Sequence, residues 1–449
     1  MITRTYTFVL LLVAAVPLWS QRDAVPTSEP SAAANDSQML VPPPVSAESY
    51  PTITGSEVRS NYLRTGVAVS STYTDNLLGG ISARPITDES YSILPFIALD
   101  QTTARLHSIL KFNPGFTFYQ RTSGRNQADE NASLNVSYRL SPHVTMSLVD
   151  SFLKSSNLMN QFNGFNTPVF GSGQVSPVTV FAPVADQLSN TGAAQLRYQF
   201  GLNAMVGVSG TFTNLHYSNP AEVPGLYDSG SRGGSVFYTH RLSGRHYIGA
   251  TYEYQMLLAY PVGFRAQTTT NGLMLFYSVY LAPTISLSFF GGPQYSNTQE
   301  SILPTVRTWS PATGASLAWQ ERQTNFALSY SRRIAPGGGL AGAVHQDAAK
   351  LSIRRQLTRG MTGGLDGQYA NNQLLDPGLL KIIGAFNGSG HSFSGAVSLD
   401  RRLGQHFSLD LAYSRVHQSY SGIGAISNAP DTNRGWISVS YQFARPLGR

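Results

Sequence analysis

The sequence contains no cysteine. Disulfides, thiolate zinc centres, cysteine nucleophiles and lipoprotein attachment are therefore excluded together. Charge is scarce as well. Asp, Glu, Lys and Arg supply 12% of the 449 residues, about half the share found in ordinary soluble domains. Long apolar runs are missing: the longest, Phe8–Trp19, has 12 residues, whereas a spanning helix needs about 20. That shortfall, with a mean hydropathy of −0.12, excludes a bundle of membrane helices. The formal charge of +7 forms no basic block, so nucleic acid finds no electrostatic footprint.

What the chain does have is 42 Gly, 23 Tyr and 22 Phe, with aromatics at 11%. That aromatic content argues against full-length disorder. The polarity comes from uncharged Ser, Thr, Asn, Gln and Gly, which points to β structure. Residues 1–20 carry Arg4, the apolar stretch Phe8–Trp19 and then small or polar residues. This matches a secretory signal peptide, cut near Leu18-Trp19-Ser20, better than a buried helix or an uncleaved anchor. Residues 21–60, rich in Pro, Ser and Ala with Pro42-Pro43-Pro44, read as a disordered periplasmic linker. The folded part is expected over 61–449.

From Asn61 onward the hydrophobic period is two. Ile437, Val439, Tyr441 and Phe443 fall on one face, and Ser438, Ser440 and Gln442 on the other. Phe407, Leu409, Leu411 and Tyr413 oppose Ser408, Asp410, Ala412 and Ser414, and Leu134, Val136 and Tyr138 oppose Ser133, Asn135, Ser137 and Arg139. Each such segment is a strand with one apolar and one polar wall. About 18 strands (16 to 18) emerge, among them Ser92–Leu99, Gly192–Phe200, Gly272–Leu281, Gly314–Gln320 and Gly435–Phe443. The segments near Ile93 and Met274 are apolar on both faces, which leaves the count open by two.

Connections alternate between short (Ser141-Pro142-His143, Ser243-Gly244-Arg245, Gly404-Gln405-His406) and longer, the longest being Lys154–Thr191. Tyr and Phe gather at strand ends. Short turns on the side of the termini, long loops opposite and aromatic girdles describe a transmembrane antiparallel up-and-down β-barrel of the bacterial outer membrane. Closure satisfies every backbone group without water.

Residues Ser71-Thr72-Tyr73-Thr74-Asp75-Asn76-Leu77-Leu78, then Ile93-Leu94-Pro95 and Asn113-Pro114-Gly115-Phe116, resemble the opening of a family of β-barrel porins whose members often accompany exopolysaccharide loci. The Tyr-Thr-Asp-Asn element is the most specific part. The resemblance is local and fades to a general barrel pattern toward the C-terminus. It implies an outer-membrane barrel of this size with a role in polysaccharide export beside a periplasmic polysaccharide-export protein, and it carries over no site residues. The C-terminal strand also looks like the signal read by the barrel-assembly machinery, except that Ala444–Arg449 follow Phe443. Outer-membrane lipid and lipopolysaccharide are the remaining expected partners.

No catalytic or cofactor constellation is legible. None of the nine histidines forms an i, i+4 pair or joins a carboxylate cluster. His143, His246 and His406 read as turn or interface residues. Gly337-Gly338-Gly339 lacks the strand–loop–helix context of a phosphate loop, and Ser389, His391 and Ser392 read as a polar loop. No enzyme activity, metal or cofactor is expected.

The informative charges are cations at strand ends: Arg139, Arg241, Arg354 with Arg355, and Arg401 with Arg402. Two roles fit them: a basic ring at the periplasmic mouth that attracts an anionic polymer or docks a partner, or interfacial anchors reaching headgroups. Within the lumen the alternation places seven cations (Lys111, Arg139, Arg197, Arg241, Arg333, Lys350 and Arg354) and four anions (Glu253, Asp366, Asp400 and Asp410). The excess of three gives a mild anion preference, unless facing Arg–Asp pairs simply satisfy one another.

Asp150 falls on the lipid face, which requires either a place near the outer interface or a bulge that shifts the register. The Lys154–Thr191 loop, with Phe162, Phe165, Phe170 and Phe181, suits either an inward constriction or an exposed surface loop. Three functions remain open: passage of polysaccharide or solute, a general diffusion porin, and a closed structural or adhesive surface barrel.

Overall fold

The computed structural model describes residues 61–78, 85–155, 186–219, 225–261, 265–300, 304–376, 389–420 and 431–447. The expected signal peptide and linker lie outside them. So does the Lys154–Thr191 loop between Ser155 and Asp186, with its four phenylalanines.

Eighteen antiparallel strands form one sheet: β1 Tyr62–Thr74, β2 Asp88–Thr102, β3 Leu106–Tyr119, β4 Gln127–Arg139, β5 Val144–Ser155, β6 Gln187–Gly201, β7 Ala204–Tyr217, β8 Asp228–Arg241 and β9 His246–Tyr260, followed by β10 Ala266–Ala282, β11 Ile285–Glu300, β12 Val306–Gln320, β13 Thr324–Ala335, β14 Val344–Thr358, β15 Met361–Leu374, β16 Gly390–Arg402, β17 Phe407–Tyr420 and β18 Asp431–Pro446. Each strand pairs with its sequence neighbours, and β1 also pairs with β18 from Tyr62↔Pro446 to Thr74↔Arg434. The sheet is a closed up-and-down barrel with no free edge of the kind that invites aggregation. A short 3-10 turn, Ser123–Arg125, caps the β3–β4 connection.

The two walls carry the expected chemistry. Outside, Val69, Ile93, Leu110, Phe116, Val236, Leu275, Phe393 and Val439 are exposed, Leu275 by 63%. A belt of that size on a soluble protein would be an aggregation surface, whereas in a bilayer it is the solvated face. Inside stand the buried Ser70, Thr72, Ser92, Thr117, Ser278, Ser288, Ser316, Ser438 and Ser440. Girdles bound the belt. Toward the short turns, Tyr198, Phe200, Tyr238 and His240 stack in a chain with 6.3 Å between successive ring centroids. There His246 Nδ1 lies 2.6 Å from the Tyr277 hydroxyl and His406 packs on Tyr441, as interfacial residues do. At the other end Tyr295 and Trp309 stack at 5.0 Å.

The strands outrun their apolar signal: β12 begins at Val306 and not Gly314, and β6 at Gln187 and not Gly192. The residues added to β6 are mostly polar, such as Gln187, Ser189 and Asn190, and those added to β12 mix Val306 and Trp309 with Arg307, Thr308 and Ser310, so neither stretch shows a clean apolar–polar alternation. The doubly apolar strands have a different cause. Phe96 and Phe276 point inward and lie across glycines of the neighbouring strand. A Cβ on Gly66 would come within 2.5 Å of the Phe96 ring, and one on Gly249 within 2.4 Å of the Phe276 ring. These aromatic-on-glycine pairs fill the space that a missing side chain leaves.

The Tyr-Thr-Asp-Asn element closes the barrel. Asp75 accepts the Asn433 backbone N–H at Oδ1 and the Asn433 Nδ2 at Oδ2, both at 2.7 Å. Asn76 Nδ2 donates to the Asp431 carbonyl at 2.8 Å. The loop after the first strand is thereby clamped to the start of the last.

Asp150 contradicts the bulge expectation. The pairing of β5 runs unshifted through Leu134↔Asp150 and Asp150↔Gly192. The carboxylate faces outward midway along a twelve-residue strand, between Leu148 and Phe152.

Candidate functional site

The lumen is the candidate site, and the β13–β14 connection determines its shape. Pairing of β12 with β13 ends at Thr313↔Arg332. Two further steps in that register would set Pro311 opposite Ile334, and proline has no N–H to offer a ladder. The Ile334 N–H instead donates to Gln294 Oε1 of β11 at 3.0 Å. Above this point β13 parts from β12 while staying paired with β14 up to Ala335↔Val344. The freed hairpin leans into the barrel.

Its tip, residues 336–343, is buried throughout. Leu340, Ala335 and Val344 pack with Leu215 and Tyr217 of β7, Leu226 of the next loop and Tyr420 of β17. Ile334 and Ala343 meet Leu257 of β9 and Leu375, and Ala341 meets Ala259 and Ala266. These partners come from both flanks of the ring, so the tip stands within the outer half of the lumen. Two glycines permit it: Gly338 and Gly339 have φ of 53° and 106°, a left-handed turn that other residues adopt at a cost. A Cβ on Gly339 would also meet the Tyr217 hydroxyl at 2.6 Å. The Gly339 carbonyl accepts the Tyr227 N–H and the Ala343 carbonyl the Leu375 N–H, each at 2.9 Å.

Sequence reading placed the glycine triplet in a loop but not in the lumen. The signal available was Pro311 in a strand beside an uncharged Pro-Gly-Gly-Gly-Leu-Ala-Gly-Ala connection, apolar where an exposed loop would be polar.

All eleven charges read as luminal fall on the inward side of their strands. Lys111, Arg139, Arg197 and Arg241 belong to β3, β4, β6 and β8; Arg333, Lys350 and Arg354 to β13 and β14. Glu253 stands alone on β9, while Asp366, Asp400 and Asp410 occupy the consecutive strands β15, β16 and β17. The order around the ring sets the acidic arc nearly opposite the β3–β8 arc. The cations of β13 and β14 adjoin that acidic arc, and the inward Asp100 acts on Lys111, so both signs stand side by side with a net cationic excess among the eleven.

One facing pair satisfies itself: Arg354 Nη2 lies 2.5 Å from Asp366 Oδ2, with the Ser352 hydroxyl donating to Oδ1 at 2.8 Å. At the short-turn end, β4, β8 and β16 terminate at Arg139, Arg241 and Arg402, and each arginine is followed by an exposed leucine, Leu140, Leu242 or Leu403. Arg355 and Arg401 face outward, as anchors would, so the strand-end cations divide between mouth and interface.

Sequence reading missed further inward charges: Arg64, Asp100 and Arg434. Arg434 is fully buried and lies 5.7 Å from the Trp436 ring. The Ser389, His391 and Ser392 group disperses, because His391 faces outward against His417, with ring centroids 5.6 Å apart, while Ser392 is buried inside.

At the outer rim, above Tyr295, burial and the neighbouring Asp376 push the Glu300 carboxyl up to about 7. Asp376 adjoins Leu375, which the inward loop holds. Also at the rim, Arg415 and His417 hold Asp431 below the usual carboxylate range, with contacts of 2.8 and 3.2 Å.

No family model and no curated protein sequence matches the chain. Among solved structures, it is similar to the unliganded ferric citrate transporter FecA (10% identity, TM-score 0.41, covering 84% of this chain and 78% of that one). It is also similar to OccAB4 of Acinetobacter baumannii (9%, 0.39, 87% and 100%) and to OpdK of Pseudomonas aeruginosa with vanillate (8%, 0.41, 85% and 99%).

Proposed function

We propose that this chain is a non-catalytic outer-membrane channel for passive solute movement, restricted by the β13–β14 loop. The observation that carries this reading is the apolar tip around Leu340, seated inside a lumen whose walls are largely hydroxyls, glycines and charges. Hydrophobic constrictions restrict conduction by excluding water. The even strand number, the apolar belt and the short turns on the side of the termini support placement in the outer membrane, with residues 21–60 in the periplasm after export and assembly by the barrel-assembly machinery.

A polysaccharide as the transported chain, handed over by a periplasmic export protein, rests on the resemblance around Asp75 alone. A polymer would need the tip displaced. The second reading, a closed structural or adhesive barrel, draws on the same tip, because its burial at both flanks is that of a packed core.

Planar-bilayer recording of the refolded mature protein separates these readings. Discrete steps of conductance support the channel, and their block by acidic oligosaccharide supports polymer passage. A correctly folded barrel with no conductance removes the channel reading in favour of the closed barrel.

A further inference from the structure

The inner wall beside the seam carries a row of oxygen atoms without partners. In the antiparallel register Asp400 of β16 stands directly opposite Asp410 of β17. Asp410 stands opposite Ser438 of β18, and Ser438 opposite Ser70 of β1. All four lie on the luminal face. Like charges directly opposed weaken a strand pair; Asp400 and Asp410 meet in a side-chain hydrogen bond as well as by charge, and the nearby Arg354 is committed to Asp366.

Burial sharpens the problem. Asp410, Ser438 and Ser70 are 9%, 3% and 2% exposed, and Asp410 Oδ2, Ser438 Oγ and Ser70 Oγ have no hydrogen-bond partner. Neighbouring hydroxyls do not share this state. Ser408 and Ser440 bond to each other at 2.7 Å, and Ser92 to Thr117 at 2.9 Å. Unpartnered buried oxygens occur elsewhere in the wall, at Asp100 and Ser278 for example, but here three stand in consecutive register beside a carboxylate pair, and buried oxygens left unpaired are costly.

We propose that this row is a binding site for a divalent cation of the calcium class, held by the carboxylates of Asp400 and Asp410 and the hydroxyl of Ser438. The donors are all hard oxygens, with no imidazole or thiolate, which selects calcium or magnesium over zinc or copper. A shared proton would neutralise one charge but leave Asp410 Oδ2 and Ser438 Oγ idle, whereas a cation engages both. Ser70, one strand beyond, is placed to hydrogen-bond an ion-bound water. The ion ties β16, β17 and β18 together beside the β18–β1 closure. With two carboxylates, and waters completing the shell, its affinity belongs to the weak class of about 10⁻⁴–10⁻³ M. The site is independent of whether the barrel conducts.

The test uses the full mature chain refolded in detergent free of lipopolysaccharide. Calcium binding is followed by titration calorimetry, and the temperature at which heat changes gel mobility is read with calcium or with chelator. Calcium should raise that temperature in the wild type. The Asp400→Asn/Asp410→Asn double variant should lose both binding and response while staying folded without the ion, since its repulsion is gone. If the double variant fails to fold, Ser438→Ala, which keeps both carboxylates, should weaken calcium binding several-fold. A wild type that neither binds nor responds to calcium at pH 8 overturns the site in favour of a shared proton. Equal binding by wild type and variants overturns it as well.

Discussion

Individual residues make the sharpest predictions. Asp150 faces hydrocarbon in mid-strand, where a carboxylate costs less than a cation but still on the order of 1–2 kcal/mol. Asp150→Leu should raise the stability of the barrel in lipid vesicles by about that much in urea titrations, with unchanged β-sheet content. Asp75 holds two groups of Asn433, and hydrogen bonds to a charged group contribute about 1.5–3 kcal/mol each. Asp75→Ala should lower the temperature of gel-mobility conversion, and the same change at the exposed Asp186 should not. Glu300 titrates near 7, above its ordinary 4.5, so the folded state binds more protons than the unfolded one between those values. Stability contributed by this group is therefore full below about pH 4.5 and is lost as pH rises through 7. Glu300→Gln should flatten the pH dependence of unfolding in that window; an unchanged slope would place the titration elsewhere.

Elements show how far the sequence could be read and where it stopped. Strands with one apolar and one polar wall were legible, because Ile437, Val439 and Tyr441 against Ser438 and Ser440 report that contrast directly, whereas the segments near Ile93 and Met274, apolar on both faces, left the count open by two. Toward the outer end apolar and polar residues no longer alternate by face, so the first third of β6 and the first half of β12 left no clean pattern to find. The inward hairpin was illegible for another reason. Its position depends on a pairing that fails, Pro311 against Ile334, and on partners distant in sequence: Gln294 as acceptor, the Tyr227 and Leu375 N–H groups as donors, and Tyr217 and Leu226 as packing surface. Local pattern carries no trace of those contacts. Of the site, alternation assigns each charge a side of its strand, but no local pattern gives the inward hairpin. Replacing Leu340 by Asp puts a charge into the cluster of Tyr217, Leu226 and Tyr420. It should expel the tip and speed protease cleavage within residues 336–343, while the barrel keeps its heat-modifiable mobility.

Taken whole, the molecule is a closed wall with an apolar tip in the outer half of a lumen of mixed charge. The mild cationic excess survives the Arg354–Asp366 pair because that pair removes one charge of each sign. Reversal potentials under a salt gradient should therefore show weak anion preference, which Lys111→Glu should diminish. Cation selectivity in the wild type would contradict the charge assignment. The central claim is that the β13–β14 tip restricts the channel, and single-channel conductance with the tip removed tests it most directly. Excising Gly338–Gly342 spares the Ala335–Val344 closure and should raise unitary conductance several-fold in an otherwise intact barrel. A folded variant that conducts no better than the wild type would contradict the account.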